Sequence, residues 1–109
     1  MRPTNGRAEQ QLRRNRATQY FSYPDWKFDR LRTEVPGHYE AYVDLVTGAW
    51  TKMRIRVQGD KAKLFVHDQD QPTIMVNDLK HGSDQIGGIG LYIDNGTEGF
   101  FKNLNVTHG

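Results

Sequence analysis

Trp50-Thr51-Lys52-Met53-Arg54-Ile55-Arg56-Val57, then Gln58-Gly59-Asp60, then Lys61-Ala62-Lys63-Leu64-Phe65-Val66-His67, alternates apolar with polar residues on both sides of a glycine-bearing turn. A period of two residues is that of a β-strand with one face buried. Met53, Ile55 and Val57 therefore share the inward face of one strand, and Ala62, Leu64 and Val66 that of the next. Gly59 supplies the positive φ that a tight connection needs. Together they predict a hairpin with one wet face and one dry face. Trp50 opens a strand whose inward face is otherwise aliphatic, so it is expected in the core.

Downstream, Asp68-Gln69-Asp70-Gln71-Pro72 reads as a polar loop and Thr73-Ile74-Met75-Val76 as a short strand. Residues 77–84 form a second loop. Gly87-Gly88-Ile89-Gly90-Leu91-Tyr92-Ile93 predicts a strand whose glycines mark a close neighbour. Asp94-Asn95-Gly96-Thr97 turns the chain into a last strand over 99–106. Upstream the pattern loosens. Residues 7–16 hold helix formers but one large apolar residue, Leu12, which is too little for an amphipathic face. Residues 19–23 predict a strand stopped by Pro24, and 26–32 a helical turn anchored by Trp26, Phe28 and Leu31. Pro36-Gly37 is a turn, and 39–43 a strand. About seven strands without a long helix predict an all-β, antiparallel β-sandwich. Residues 1–109 form one domain, with a loop-rich basic segment (1–37) followed by antiparallel strands (38–109).

Composition narrows the function. The chain has 109 residues, enough for one domain. It contains no cysteine, which excludes disulfides, thiolate metal sites and cysteine nucleophiles. Apolar runs are too short for a transmembrane helix, and residues 1–6 lack the apolar core of a signal peptide. Charge is uneven. Residues 1–33 carry eight Lys/Arg against three acids, a balance of +5, and the remaining 76 residues carry 7 − 10 = −3. An arginine-rich arm beside aromatics is one footprint of nucleic-acid binding. Arginines paired or solvated across a sheet face explain it more simply, so neither nucleic acid nor a membrane is expected as a partner.

The run Trp-Thr-Lys-x-Arg-Ile-x-Val-x-Gly-Asp-x-Ala-x-Leu-x-Val from Trp50 to Val66 is followed by a polar loop ending in Pro72, then Gly88-Ile89-Gly90-Leu91 and Phe101-x-Asn103-Leu104-x-Val106. It resembles the back half of a concanavalin A-like lectin/glucanase domain. More narrowly, it is similar to the laminin-G-like and keto-disaccharide-hydrolase-like sandwiches of exported bacterial proteins. The stretch from Pro3 through Pro24 is similar to a middle region of one such group. The resemblance implies a jelly-roll sandwich, a saccharide ligand and an extracellular or periplasmic parent protein. It also implies further strands ahead of the matched region. Their place is expected to be taken by a second copy of the chain, through open sheet edges, or the chain forms a reduced sandwich.

Glycoside hydrolysis needs two carboxylates across a sugar cleft, and the Glu-x-Asp-x-x-Glu strand motif of the glucanases is absent. Glu40 and Asp44 form the nearest pair, read as two solvated acids. Asp68-Gln69-Asp70 offers hard oxygen ligands for Ca2+ without the glycine and distal glutamate of an EF-hand loop, so no cofactor is expected. Asp94-Asn95-Gly96-Thr97-Glu98 is explained by turn chemistry. His38, His67, His81 and His108 lack zinc-site spacing. Ser22 and Ser83 have no nucleophile elbow, and Asp78-x-x-His81 sets an acid near a base with no nucleophile to activate. Carbohydrate recognition fits better: segment 13–28 combines planar polar side chains with aromatic faces. Arg14, Asn15, Arg16, Gln19, Tyr20, Tyr23 and Trp26 are the candidate contacts to an oligosaccharide or polysaccharide. The alternative for Tyr20, Phe21 and Trp26 is plain core. The leading reading is a non-catalytic carbohydrate-recognising module. A fragment of a glycoside-active hydrolase and a structural or protein-interaction module stay open beside it.

Overall fold

The computed structural model describes residues 1–2, 6–83, 86–93 and 95–107. Of the residues named above, Pro3, Asp94 and His108 lie outside these, as does the end of the 77–84 loop. In chain order the elements are α1 (Gln11–Arg14), β1 (Thr18–Gln19), α2 (Phe28–Glu34), β2 (Glu40–Ala41), β3 (Met53–Gln58), β4 (Lys61–Val66) and β5 (Ile74–Val76). They make two antiparallel sheets, β1-β2 and β3-β4-β5, with little helix.

The hairpin forms as its alternation requires. Met53 pairs with Val66, Ile55 with Leu64 and Val57 with Ala62, down to Gln58 opposite Lys61. Gly59 turns the chain at φ 61°, a conformation without penalty only for glycine. β5 adds to the far side of β4, with Leu64 opposite Ile74 and Ala62 opposite Val76. Register alone therefore puts Met53, Ile55, Val57, Ala62, Leu64, Val66, Ile74 and Val76 on one sheet face.

That face is covered unevenly. Ala17, Val43, Leu45 and Val66 form one buried cluster, and Leu31, Tyr39, Ile74 and Val76 form another. Leu64 packs against both and joins them. The covering layer comes from the first half of the chain: β1-β2, held by Thr18 opposite Ala41 and Gln19 opposite Glu40, and α2, which contributes Leu31. Helix α2 outruns the expected 26–32 turn and stops at Val35, ahead of Pro36, where proline's ring disfavours a helical predecessor. This layer reaches β4 and β5 but not β3. Met53, Ile55 and Val57 are left 43%, 63% and 63% exposed, against the expectation that they point into a core.

Three further expectations are corrected. Trp50 is 61% exposed rather than buried; its ring lies under the Lys102 ammonium, 4.1 Å from the centroid. The described residues of 86–93 and 95–107 hold no strand, and all of them are exposed. An alternating pattern specifies which face of a strand is dry, but a strand also needs a neighbour for its backbone groups. The expected strands at 19–23 and 39–43 shrink to β1 and β2, with Tyr20 N–H donating to Tyr39 O at 2.8 Å beyond them. The chain turns back on itself where Ser22 and Trp26 bridge, around the cis Tyr23–Pro24 bond. No helix among the described residues is long and apolar enough to cross a membrane.

Candidate functional site

Two places concentrate polar and aromatic chemistry. The first lies where the loop after β5 folds back over the first half. Leu79 N–H donates to Asp60 O at 2.7 Å, which pins that loop at the tip of the β3–β4 hairpin. The next residue then lies above the aromatics of segment 20–39. Lys80 N–H donates to Tyr20 Oη at 2.9 Å, and its ammonium stands 4.3 Å from the Trp26 ring centroid and 5.3 Å from that of Tyr39. Asp78 Oδ2 accepts from Tyr39 O–H at 2.6 Å and from Lys80 Nζ at 2.7 Å. These contacts move three proton affinities together. The Lys80 ammonium, then the Tyr39 hydroxyl, hold the Asp78 carboxyl below its ordinary value. The carboxylate in turn holds Lys80 above its own. Burial, then the hydrogen bond to Asp78, raises Tyr39.

The same loop brings His81 Nε2 within 2.6 Å of Ser22 Oγ. Sequence spacing missed this pair, because Ser22 and His81 are 59 positions apart. A base and a hydroxyl thus meet here, contrary to the expectation that Asp78-x-x-His81 has no nucleophile beside it. The geometry is that of a fastening. Ser22 is only 4% exposed, and Asp78 Oδ2 already serves Tyr39 and Lys80.

The residues expected to contact sugar separate into different neighbourhoods. Arg14 and Asn15 both bond the Gln11 side chain on α1. Arg16 lies 3.7 Å from Glu40, whose other oxygen takes Arg32 at 2.6 Å. Gln19 faces Glu40 across β1-β2. Tyr20 packs on Tyr39, with ring centroids 5.7 Å apart. Trp26 carries the Arg30 guanidinium 3.7 Å from its ring centroid, in addition to Lys80. Tyr23 points outward, edge-on to Phe21 and near Lys27. The groove beside Tyr20, between α2 and β2, leaves no room for a water molecule. Glu40 and Asp44 are not a solvated pair on one strand: Glu40 is largely enclosed by the two arginines, and Asp44 accepts from Arg7 at 2.8 Å.

The second place is a cleft of about 140 Å³ at the open end of the hairpin, lined by Lys52, Arg54, Phe65, Asp68, Gln69 and Asp70. Phe65 belongs to the polar face of β4 yet is buried, because the Arg54 guanidinium covers it at 4.4 Å from the centroid. Lys52 Nζ holds Asp68 at 2.7 Å. His67 and Asp68 both take positive φ, 62° and 60°, and this turns the Asp68-Gln69-Asp70 loop back along the strand. Among the described residues no group of three or more His, Asp or Glu is placed to hold a metal ion. The stretch expected to offer oxygen to Ca2+ instead lines a cleft with two basic side chains in it.

No protein family, no curated protein and no solved structure matches this chain.

Proposed function

We propose that the chain is a non-catalytic carbohydrate-recognising module and that its saccharide sits in the cleft between β3 and the Asp68–Asp70 loop. The observation that carries this reading is the cleft's chemistry. Two cations, Lys52 and Arg54, face two carboxylates, Asp68 and Asp70, with the Gln69 amide between them. Such a lining has no net charge but is dense in both donors and acceptors, which suits a neutral ligand rich in hydroxyls. A phosphate would call for surplus positive charge, and a metal ion for surplus negative charge. Arg54, flattened on Phe65, is the planar donor best placed to bridge neighbouring hydroxyls. In this reading Tyr20, Trp26 and Tyr39 support the fold, and Tyr23, which does not line the cleft, has no part in the site. The jelly-roll, concanavalin A-like completion of the sandwich and an extracellular or periplasmic parent protein rest on the sequence resemblance. An interaction module is the second reading, favoured by the uncovered face of β3.

Thermal melts with a panel of neutral oligosaccharides test the proposal. A ligand at 100 times its dissociation constant adds about 2.7 kcal/mol, a rise of several degrees in a domain of this size. Arg54→Ala is expected to weaken binding at least tenfold. A panel in which no saccharide moves the melt, or a shift that Arg54→Ala leaves intact, overturns the site.

A further inference from the structure

Strand β3 is the edge of its sheet: β4 occupies one side, and no described strand occupies the other. Its free edge is long, regular and apolar on one face, the combination that takes up an added strand. The opposite face of β3 carries Arg54 and Arg56, and this decides what can be added. Two β3 strands paired antiparallel, with apolar faces together, put arginine opposite arginine or beside it. Like charges across a pair are destabilising. A shift of one residue relieves this only by turning every apolar side chain to the wrong face.

Segment 86–93 has the complementary pattern. Ile89, Leu91 and Ile93 alternate with Gly88, Gly90 and Tyr92, and none of the alternating positions carries charge. Set antiparallel to β3 with Leu91 opposite Ile55, it places Ile89 opposite Val57 and Ile93 opposite Met53. Gly90 then falls opposite Arg56 and leaves room for its side chain. Tyr92 falls opposite Arg54 and offers a ring face to a guanidinium. Six residues match in chemistry as well as in period. The chain's own segment does not lie on this edge: Ile89 and Leu91 are largely exposed.

We infer that the free edge of β3 is the docking site for residues 88–93 of a second copy of this chain, exchanged reciprocally to close a two-fold dimer. The chain has no cysteine, so single thiols report the pairing cleanly. Ile55 and Leu91 are both surface residues, and Ile55→Cys and Leu91→Cys remove nothing from the core. Residues directly opposite in an antiparallel pair have Cα atoms ~4.5–5.5 Å apart, within disulfide range. On mild oxidation an equimolar mixture of the two variants is expected to give a disulfide-linked product of twice the chain mass containing one of each. Light scattering of the unmodified chain is expected to report twice the monomer mass. A monomer in which only the double variant I55C/L91C closes, within one chain, overturns the exchange. Cross-linking of Ile55→Cys to itself overturns it in favour of β3 on β3. A monomer with no cross-link at all refutes the docking site.

Discussion

Replacing Tyr39 by phenylalanine removes the hydroxyl that bonds Asp78 and leaves the ring in place at the junction between the two halves. The ring stays in the cluster with Leu31, Ile74 and Val76, and the 2.6 Å bond to Asp78 is lost together with the hydroxyl's contact with Lys80. A hydrogen bond to a charged group contributes about 1.5–3 kcal/mol. The Asp78 side chain is half exposed, so water replaces part of what the hydroxyl gave, and about 1–1.5 kcal/mol is expected. Urea unfolding followed by circular dichroism at pH 7 reads this directly, and the melt should fall by about 4–8 °C. The pH dependence supplies a second check. Because Lys80 and Tyr39 depress the Asp78 carboxyl in the folded chain, its stabilisation is complete above the ordinary carboxyl value of 3.8 and is lost as pH falls through the folded value. The difference between the native chain and Tyr39→Phe should therefore be widest near neutrality and narrow in acid. A Tyr39→Phe chain as stable as the native one at pH 7, or a difference that ignores pH, refutes the reasoning.

Lys80 and Tyr39 govern the alkaline side. Both are raised in the folded chain, so what they contribute is complete below their ordinary values of about 10 and is lost as pH climbs through the folded ones. Burial, then Arg2, lowers the Met1 ammonium from its ordinary value of 8.0, so stability should rise up to about pH 8. It should then hold level to about 10 and fall beyond it, and Lys80→Met should flatten that fall; an unchanged alkaline limb in the variant contradicts this. Gly6 sits where an added Cβ would come 2.7 Å from Val43 O and 3.3 Å from Ala17 Cβ, against one of the two core clusters. Gly6→Ala is expected to cost about 1–3 kcal/mol through that crowding, and a variant that melts with the native chain disproves the close approach.

The parts of this fold visible in the sequence are those set by local rules. The period of Met53–Val66 with glycine at its turn carries the hairpin, and the spacing of Trp26, Phe28 and Leu31 carries the helical turn that became α2. Which face of β4 packs inward was legible too. How far the covering layer extends was not: it depends on where β1-β2 lands, and that is a matter of packing between distant segments. The alternation of 86–93 states a preference for a face, yet it holds no information about whether an edge is available. Tyr20 and Trp26 show the same limit in another form. An aromatic that stacks on a ligand and one that stacks on Tyr39 or Lys80 have the same sequence signature. The Asp78–Lys80 contacts were hidden because they hang on one backbone bond, Leu79 to Asp60, in a loop without periodicity. The second cleft was half seen. Its aspartates stood out as oxygen donors, while Lys52 and Arg54, which change what those oxygens can hold, looked like ordinary outward residues of a strand.

The two tryptophans sit under different cations. Trp26 is partly enclosed between Arg30 and Lys80, whereas Trp50 is open to solvent beneath Lys102. The unlabelled chain consequently carries two fluorophores with separate addresses. Iodide is expected to quench the indole of Trp50, which is 61% exposed, more than that of Trp26. Trp26 is partly enclosed, and its emission is expected to report on the loop that holds Lys80. Emission from one sample is thus expected to separate the two indoles by their accessibility.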